Sequence, residues 1–263
     1  MSISMNSQSA LHEVESRCTQ ERPPRCQSLC PLGLDARAFL GHAAEGRWSD
    51  ARKQLERYLP LPGLLARVCD HPCEQGCLRG DLGGAVNLHG LEIFCTEHLG
   101  VQTRSLPMPR KQKRIAVIGA GLAGLVCAWD LAGKGYPVTV FHEGDPKARL
   151  LSCWPVLAGA GAAALDAEWE ALGRRGVRFE QASTDAACLQ QAVGEYEGVL
   201  LDAGALPELA PAEDGVDAQI LHWRDNICCA GWASVTPTGH RFASASRQAG
   251  QGRSAARTLE RLV

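Results

Sequence analysis

The sequence predicts an α+β protein of two domains, a small helical domain over residues 1–107 and a Rossmann-like α/β domain over residues 108–263. Three observations lead to this prediction. Apolar residues recur at helical spacing from Leu32 to Val68, which is typical of short packed helices. At Ile115 the pattern changes to an apolar run that favours a buried strand. A glycine-rich turn, an apolar helix and a second strand follow in the order of a βαβ unit.

The helical domain is predicted from apolar spacing and from residues that stop helices. A first helix is expected near residues 34–43, and Gly46 ends it. A second helix is expected to begin with Ser49 or Asp50 as its cap, and Pro60 ends it. A further helix is expected over residues 86–99, after a glycine-rich loop.

The Rossmann-like domain is predicted from the strand at residues 115–118, a helix that runs to about residue 132 and a strand at residues 138–141. Between the first strand and the helix lie Gly119, Gly121 and Gly124. Such a turn lets the pyrophosphate of a dinucleotide approach the backbone at a helix N-terminus, where amide groups and the helix dipole favour anions. The three glycines are therefore candidate cofactor-binding residues.

The pattern weakens after Asp145. Helices are expected at residues 164–172 and 185–193, and strands at residues 177–179, 199–201 and 227–230. Residues 206–225 are interpreted as a connector. A final helix is predicted to share one apolar face among Ala255, Ala256, Leu259 and Leu262.

Half of the twelve cysteines lie in the predicted helical domain before residue 78, namely Cys18, Cys26, Cys30, Cys69, Cys73 and Cys77. Spacings of three intervening residues, with Pro31 directly after Cys30, are typical of iron–sulfur ligands. Zinc is the alternative, since it also accepts four sulfur or mixed ligands. The remaining cysteines are interpreted as core residues, with Cys95 also near enough in sequence to act as a stand-in ligand; they are Cys95, Cys127, Cys153, Cys188, Cys228 and Cys229.

Composition excludes several classes of function. The net charge of -2 and the pI near 6.4 give no basic field that would favour nucleic acid. No run of about 18 apolar residues predicts a membrane span, and the polar start of the chain lacks the order of a secretory signal. The protein is therefore expected in the cytoplasm, where clustered cysteines indicate metal or redox ligands rather than disulfides.

The order of these motifs resembles the small subunit of bacterial glutamate synthase and its relatives, which include the iron–sulfur and flavin segments of dihydropyrimidine dehydrogenase. The resemblance lies in Cys26-Gln-Ser-Leu-Cys30-Pro31, Leu61-Pro62, Arg67-Val-Cys-Asp-His-Pro-Cys-Glu-Gln-Gly-Cys77 and Val86-Asn-Leu-His-Gly-Leu-Glu92. It implies one or two 4Fe-4S clusters with crossed ligation, in which early cysteines share a cluster with late ones.

The resemblance implies a ligand set for each cluster. One set is Cys18, Cys26 and Cys77, and the other is Cys30, Cys69, Cys73 and an oxygen of Glu92. Glu21 stands where the family has a further cysteine. The first cluster would therefore use the Glu21 carboxylate or an outside ligand, hold three irons, or not be assembled.

The C-terminal part resembles the flavin-binding half of the same family. The resemblance implies that Gly119, Gly121 and Gly124 contact the pyrophosphate of FAD, and that Glu143 accepts from the ribose, because His142 occupies the usual acidic position. It departs at Ala148-Arg149, where the family has paired glycines, and at Trp232, where the family has an aspartate. FAD is therefore a possible cofactor.

The resemblance also shows a missing part. Family members insert an NADPH-binding domain where this chain has only about twenty residues, fewer than the roughly 30 that one βαβ unit needs. NAD(P) is therefore not expected as a cofactor.

Three hypotheses for the function follow. The first is an electron-transfer iron–sulfur subunit, which relays electrons between a catalytic subunit of a larger oxidoreductase complex and another carrier. The second is a self-contained reductase with FAD and iron–sulfur clusters. The third is a structural adaptor without a redox role. No catalytic motif is found, so the chain is interpreted as a non-catalytic subunit.

Overall fold

The computed structural model describes residues 12–13, 16–18, 20, 22–101, 108–209, 221–231, 234–235, 241–242 and 244–263. The chain divides into two compact units, Met1–Arg104 and Ser105–Val263. Within the described residues, no helix has both the length and the apolarity required to cross a membrane.

The first unit is made of short helices. They are α1 (Arg25–Leu29), α2 (Ala36–Ala44), α3 (Trp48–Tyr58), α4 (Pro62–Val68), α5 (Pro72–Gln75) and α6 (Leu88–His98), with a 3-10 helix at Leu78–Leu82. The expected helices at residues 34–43 and 86–99 are confirmed within a few residues. Helix α2 begins where the Asp35 side chain accepts from the Ala38 N–H at 3.0 Å, and Asn87 caps α6 in the same way through Gly90.

One detail of the first unit differs from expectation. Helix α3 begins at Trp48, so Ser49 and Asp50 lie inside it and do not cap it. Pro62 is the first residue of α4, where the missing proline N–H has no helical partner to lose.

The core of the first unit is small. Phe39, Leu55, Leu61 and Leu64 are all at most 1 % exposed. Helix α2 packs against α3, and α4 packs against α6. These contacts hold in place the helix ends that carry the cysteines.

The second unit alternates strands and helices. Its strands are β1 (Ile115–Ile118), β2 (Val138–His142), β3 (Val177–Gln181), β4 (Gly198–Asp202), β5 (His222–Arg224), β6 (Ile227–Ala230), β7 (Ser234–Val235) and β8 (Arg241–Phe242). Its helices are α7 (Leu122–Gly133), α8 (Pro146–Cys153), α9 (Ala160–Arg174), α10 (Ala186–Glu195) and α11 (Ala245–Leu262), with a 3-10 helix at Pro155–Leu157.

Six strands form one sheet in the order β3-β2-β1-β4-β6-β5. All neighbours are parallel except β5, which runs antiparallel to β6. Strands β1, β4 and β6 are buried throughout, as expected for a parallel sheet covered on both faces. The predicted Rossmann-like arrangement is confirmed, and the carboxyl ends of β1 and β4 lie side by side.

Several elements of the second unit were not predicted, among them β7, β8 and the 3-10 helix at Pro155–Leu157. Helix α8 follows Asp145, whose side chain accepts from the Lys147 N–H at 2.9 Å. Strand β5 lies within residues 206–225, which were interpreted as a connector, so that interpretation is wrong at 222–224.

The last helix of the second unit, α11, packs along α7 and against β6. Ala255, Ala256 and Leu259 are buried, whereas Leu262, at the end of the same helix, is 44 % exposed. Helices α7 and α11 approach closely, since a side chain at Gly252 would collide with the backbone of Ala123.

Candidate functional site

Helix ends in the first unit carry five of the six clustered cysteines. Cys26 lies in α1, Cys30 ends α1, Cys69 ends α4, Cys73 lies in α5, and Cys77 precedes the 3-10 helix. Helix α1 packs against α5, and this contact depends on Gly76, because a side chain there would collide with Leu29. The early and late cysteine segments therefore meet.

The thiols of Cys18, Cys26 and Cys77 form one group. Burial raises the pKa of the Cys26 thiol, and the negative charges of Cys18 and Cys77 raise it further, whereas the Gln27 backbone N–H opposes them. Two thiols act on Cys26 in this way only when they lie near it. Glu21, the predicted fourth ligand of this group, lies outside the described residues.

The thiols of Cys30, Cys69 and Cys73 form a second group with the carboxyl of Glu92. Burial raises the pKa of Cys73 to about 12, with further contributions from Glu92 and Cys30. Burial also raises the pKa of Cys69 strongly, and here Glu92 and Cys73 contribute. The His71 backbone N–H donates to the Cys69 sulfur at 3.4 Å and opposes this rise.

Glu92 is the least exposed acid among the described residues of the first unit, at 5 %. Burial raises its pKa to about 8, and the charge of Glu74 adds to the rise. The nearest basic group is His71, whose Nε2 lies 3.9 Å from a Glu92 oxygen. Burial lowers the pKa of His71, so its ring is neutral and gives Glu92 no opposite charge.

The His71 ring has one polar atom without a partner. Its Nε2 is buried and has no hydrogen-bond partner among the described residues, while the ring stacks on His89 at 4.0 Å between centroids. An unpaired buried polar atom costs about 1–3 kcal/mol. Within the described part of the chain, no group therefore meets the hydrogen-bonding capacity of the His71 Nε2 atom.

This donor set fits an iron–sulfur cluster. Three thiols and a carboxyl are gathered beside an unpaired ring nitrogen, and burial disfavours the negative charge of each acid. The positive charge of an iron core would offset that cost and hold the thiols as thiolates. Over the described ranges, no three histidine, cysteine, aspartate or glutamate side chains are arranged as a site for a single metal ion.

Cys95 and Arg52 lie beside this second group. Cys95 is fully buried, one helical turn after Glu92 on α6. Burial raises the pKa of Cys95, the charge of Arg52 opposes this, and Glu92 adds to it. Arg52 donates to Glu56 at 2.8 Å through Nε, while its buried Nη1 has no partner among the described residues. No feature of the sequence singled out Arg52, and His71, which lies between two presumed ligands, was assigned no role.

The other cysteines follow the core interpretation with one exception. Cys127, Cys228 and Cys229 are buried like Cys95, Cys188 is partly buried, and Cys153 is exposed, so the interpretation is wrong for Cys153.

The glycine-rich turn of the second unit joins β1 to α7. Gly119 has a φ of +99°, which favours glycine, and Gly121 precedes α7 without a side chain to cap it. The cap comes from Asp202 at the end of β4, whose Oδ2 accepts from the Gly124 N–H at 2.7 Å. The other oxygen of Asp202 accepts from the Gly204 N–H at 3.0 Å.

Asp202 was not singled out from the sequence. It is fully buried, and burial raises its pKa to about 6, although the backbone N–H of Gly124 and the charge of Arg149 oppose this. An acid that directly follows four buried apolar or small residues was the available signal.

The remaining predicted cofactor residue, Glu143, is exposed and accepts from the Thr184 N–H at 3.2 Å. Arg149, in the place of a family glycine, lies on α8 and donates to the Ala205 carbonyl. Trp232 lies outside the described residues. The role of Glu143 therefore stays a prediction.

Both parts of the chain match known families. Residues 1–103 match the family model described as dihydropyrimidine dehydrogenase domain II, 4Fe-4S cluster. Residues 114–194 match the model described as glucose inhibited division protein A, a FAD-binding type. The matches confirm the predicted order of an iron–sulfur domain and a FAD-binding type of domain, with FAD as a possible cofactor.

Several curated proteins are similar to parts of the chain. The beta subunit of NADPH-Fe(3+) oxidoreductase from Geobacter sulfurreducens is 35% identical over 120 residues, which are 44% of this chain and 18% of that protein. The beta subunit of NADP(+)-dependent formate dehydrogenase from Moorella thermoacetica is 33% identical over 142 residues, 44% of this chain and 20% of that protein.

The small chain of glutamate synthase [NADPH] from Mycobacterium tuberculosis is 30% identical over 145 residues, 54% of this chain and 30% of that protein. The resemblance to glutamate synthase small chains is thereby confirmed. The matched region spans less than a third of the length of each of these relatives.

Proposed function

We propose that this chain, whose N-terminal part matches a 4Fe-4S domain, is an electron-transfer subunit of a larger cytoplasmic oxidoreductase complex. It would pass single electrons between a catalytic subunit and another carrier. The observation that supports the proposal is that early and late cysteines lie near enough to act on each other's charge, Cys77 on Cys26 and Cys30 on Cys73. The similar proteins from Geobacter sulfurreducens and Moorella thermoacetica, which are subunits of oxidoreductases, support it.

In the proposal, two sets of side chains hold the clusters. Cys18, Cys26 and Cys77 hold the first with Glu21, and Cys30, Cys69, Cys73 and Glu92 hold the second. A bound cluster supplies reversible one-electron chemistry.

The protein's own groups bias the second site. The His71 N–H bond to the Cys69 sulfur favours the negative charge of that thiolate. Glu92 adds a harder oxygen ligand, and ligand type is one of the factors that set a reduction potential. The charge of Arg52 acts on Cys95, which lies on α6, the helix that also carries Glu92. These groups would give the two clusters different potentials, and those potentials would set the direction of electron flow.

A test uses two cysteines that are four positions apart. Cys73→Ser and Cys77→Ser should each remove one cluster, and a different one, because Cys73 belongs to the group of Glu92 and Cys77 to the group of Cys26. Anaerobically purified complex would be assayed for iron and sulfide, with electron paramagnetic resonance of the reduced protein. Each variant should lose about four irons and a distinct signal.

A matched control is Cys153→Ser, which removes an exposed thiol from the second unit and should leave iron unchanged. Absence of iron and sulfide, or zinc in their place, would contradict the proposal. Loss of the same signal in both variants would contradict the two ligand sets. If Cys69→Ser impaired assembly but not electron flow per assembled complex, the chain would be a structural adaptor.

A further inference from the structure

The Asp202 carboxylate lies in a cradle of glycines at the carboxyl edge of the sheet. Asp202 ends β4, next to the end of β1, and its side chain is 0 % exposed. Five glycines are so close that a Cβ on any of them would meet Asp202 within about 3.2 Å; they are Gly119, Gly121, Gly124, Gly204 and Gly231. The backbone around Asp202 therefore leaves room for its carboxylate, because the surrounding residues are glycines and have no side chains to fill that space.

The hydrogen bonds of Asp202 are those that a bound anion would take. The Gly124 N–H belongs to the first turn of α7 and has no helical acceptor, so it needs an outside one. Asp202 Oδ2 accepts from it at 2.7 Å, and Oδ1 accepts from Gly204 and Ala205 at 3.0 and 3.2 Å. In dinucleotide-binding turns, a phosphate oxygen uses this end of the helix.

The carboxylate also takes the space that a phosphate oxygen would need. A Cβ at Gly121 would lie 2.7 Å from Asp202 Oδ2, so this oxygen already lies against the turn. Glycine at this position serves in dinucleotide-binding turns to let a pyrophosphate reach the same surface.

Arg149 strengthens the arrangement from the neighbouring helix. Its side chain donates to the Ala205 carbonyl, in the loop directly after Asp202, and its charge favours the ionised carboxylate. The acid is thus held by the turn on one side and by a fixed loop on the other. A pyrophosphate would have to displace it or accept its negative charge as a neighbour, which is unfavourable in a dry interior.

We propose that the Asp202 carboxylate is an intramolecular occupant of the anion position of the glycine-rich turn and prevents FAD from binding there. The second unit then keeps the βαβ fold while its pyrophosphate site is satisfied by the chain itself. The electron transfer proposed above uses the cysteine segments, so the two proposals can fail separately.

The test is FAD binding by the purified full-length chain, measured by isothermal titration and by flavin released on heating. The wild-type protein should carry no flavin. Asp202→Ala, which removes the carboxylate and frees the Gly124 amide, should bind FAD at least about ten-fold more tightly. Asp166→Ala, which removes an exposed carboxylate elsewhere in the second unit, should bind no better than wild type.

Asp202→Gly also removes the carboxylate and frees the Gly124 amide, so it serves if Asp202→Ala does not fold. Stoichiometric flavin in the wild-type protein would overturn the proposal. Folding of each variant would be checked by circular dichroism. The proposal would also be overturned if a folded variant bound FAD no better than wild type. Asp202 would then be only a cap for α7.

Discussion

Neutralising Asp202 should change how the stability of the second unit depends on pH. The folded pKa of about 6 lies above the ordinary value of 3.8, because burial disfavours the charged form. The folded state therefore prefers the protonated acid. The penalty for ionising it is absent below about pH 4, grows as the pH rises, and is complete above about pH 7.

The size of the effect follows from these two values. The difference between 3.8 and about 6 corresponds to about 3 kcal/mol against the ionised folded state. Asp202→Asn removes this penalty, but its NH₂ group cannot accept from a backbone N–H, which costs about 1–3 kcal/mol. That cost is the same at every pH. Between about pH 4.5 and pH 7.5, the variant should therefore gain about 2 kcal/mol in the free energy of unfolding relative to wild type.

The assay is amide hydrogen exchange of peptides that cover β1 and α7, in wild type and variant at matched pH, so that intrinsic exchange rates cancel. About 2 kcal/mol is a change of roughly thirty-fold in relative protection between the two pH values. Asp185→Asn is a matched control, because Asp185 also accepts from the first turn of a helix, through Cys188 at 2.9 Å.

The control should show almost no change over the same pH range. The Cys188 N–H and the Ser183 hydroxyl lower the pKa of the exposed Asp185, so its charge stabilises the folded state. The stability lost in Asp185→Asn relative to wild type therefore develops mainly as the pH rises to about 4, and between about pH 4.5 and pH 7.5 its relative protection should stay nearly constant. A flat profile for Asp202→Asn, or one that falls with pH, would refute the account of Asp202 as a buried charge.

Two further predictions concern packing, each with its own comparison in thermal or urea unfolding. Gly135→Ala and Gly176→Ala both place a side chain at positive φ, which costs about 1–2 kcal/mol. Only the Gly135 variant also collides with the Pro109 carbonyl, so it should cost about 1–3 kcal/mol more; equal losses would contradict this. Leu259→Ala should cost about 2–5 kcal/mol, whereas Leu262→Ala should stay within about 0.5 kcal/mol, and the reverse order would show that α11 is packed differently.

Local patterns predicted most of the fold of the second unit. The sequence predicted β1, α7 and β2 because the apolar residues of each follow the period of a strand or a helix. The turn between β1 and α7 was predicted from its glycines. Helix α8 carries local start signals, Asp145 and Pro146, but a weak apolar period hid it. Strand β5 was missed because it has three residues at the edge of the sheet and forms only against β6.

The sequence predicted the cysteine ligands but not Asp202, because residues that lie close together in the fold can be far apart along the chain. Cysteine spacing indicated cluster ligands, but spacing does not say that Cys77 lies near Cys26 while Cys73 lies near Cys30. That division came from the family resemblance. Asp202 has no such guide, because its partner Gly124 is distant in sequence and only the parallel sheet brings them together.

The close contact of α7 with α11 bears on how the second unit matures during synthesis. Helix α7 forms early, yet the helix that covers it begins about 110 residues later along the chain. At ribosomal speeds of about 5–20 residues per second, its apolar side would wait roughly 6–20 s for that partner. Since unpaired apolar surface on a nascent chain attracts chaperones or other chains, the second unit should acquire protease resistance only after α11 has emerged from the ribosome.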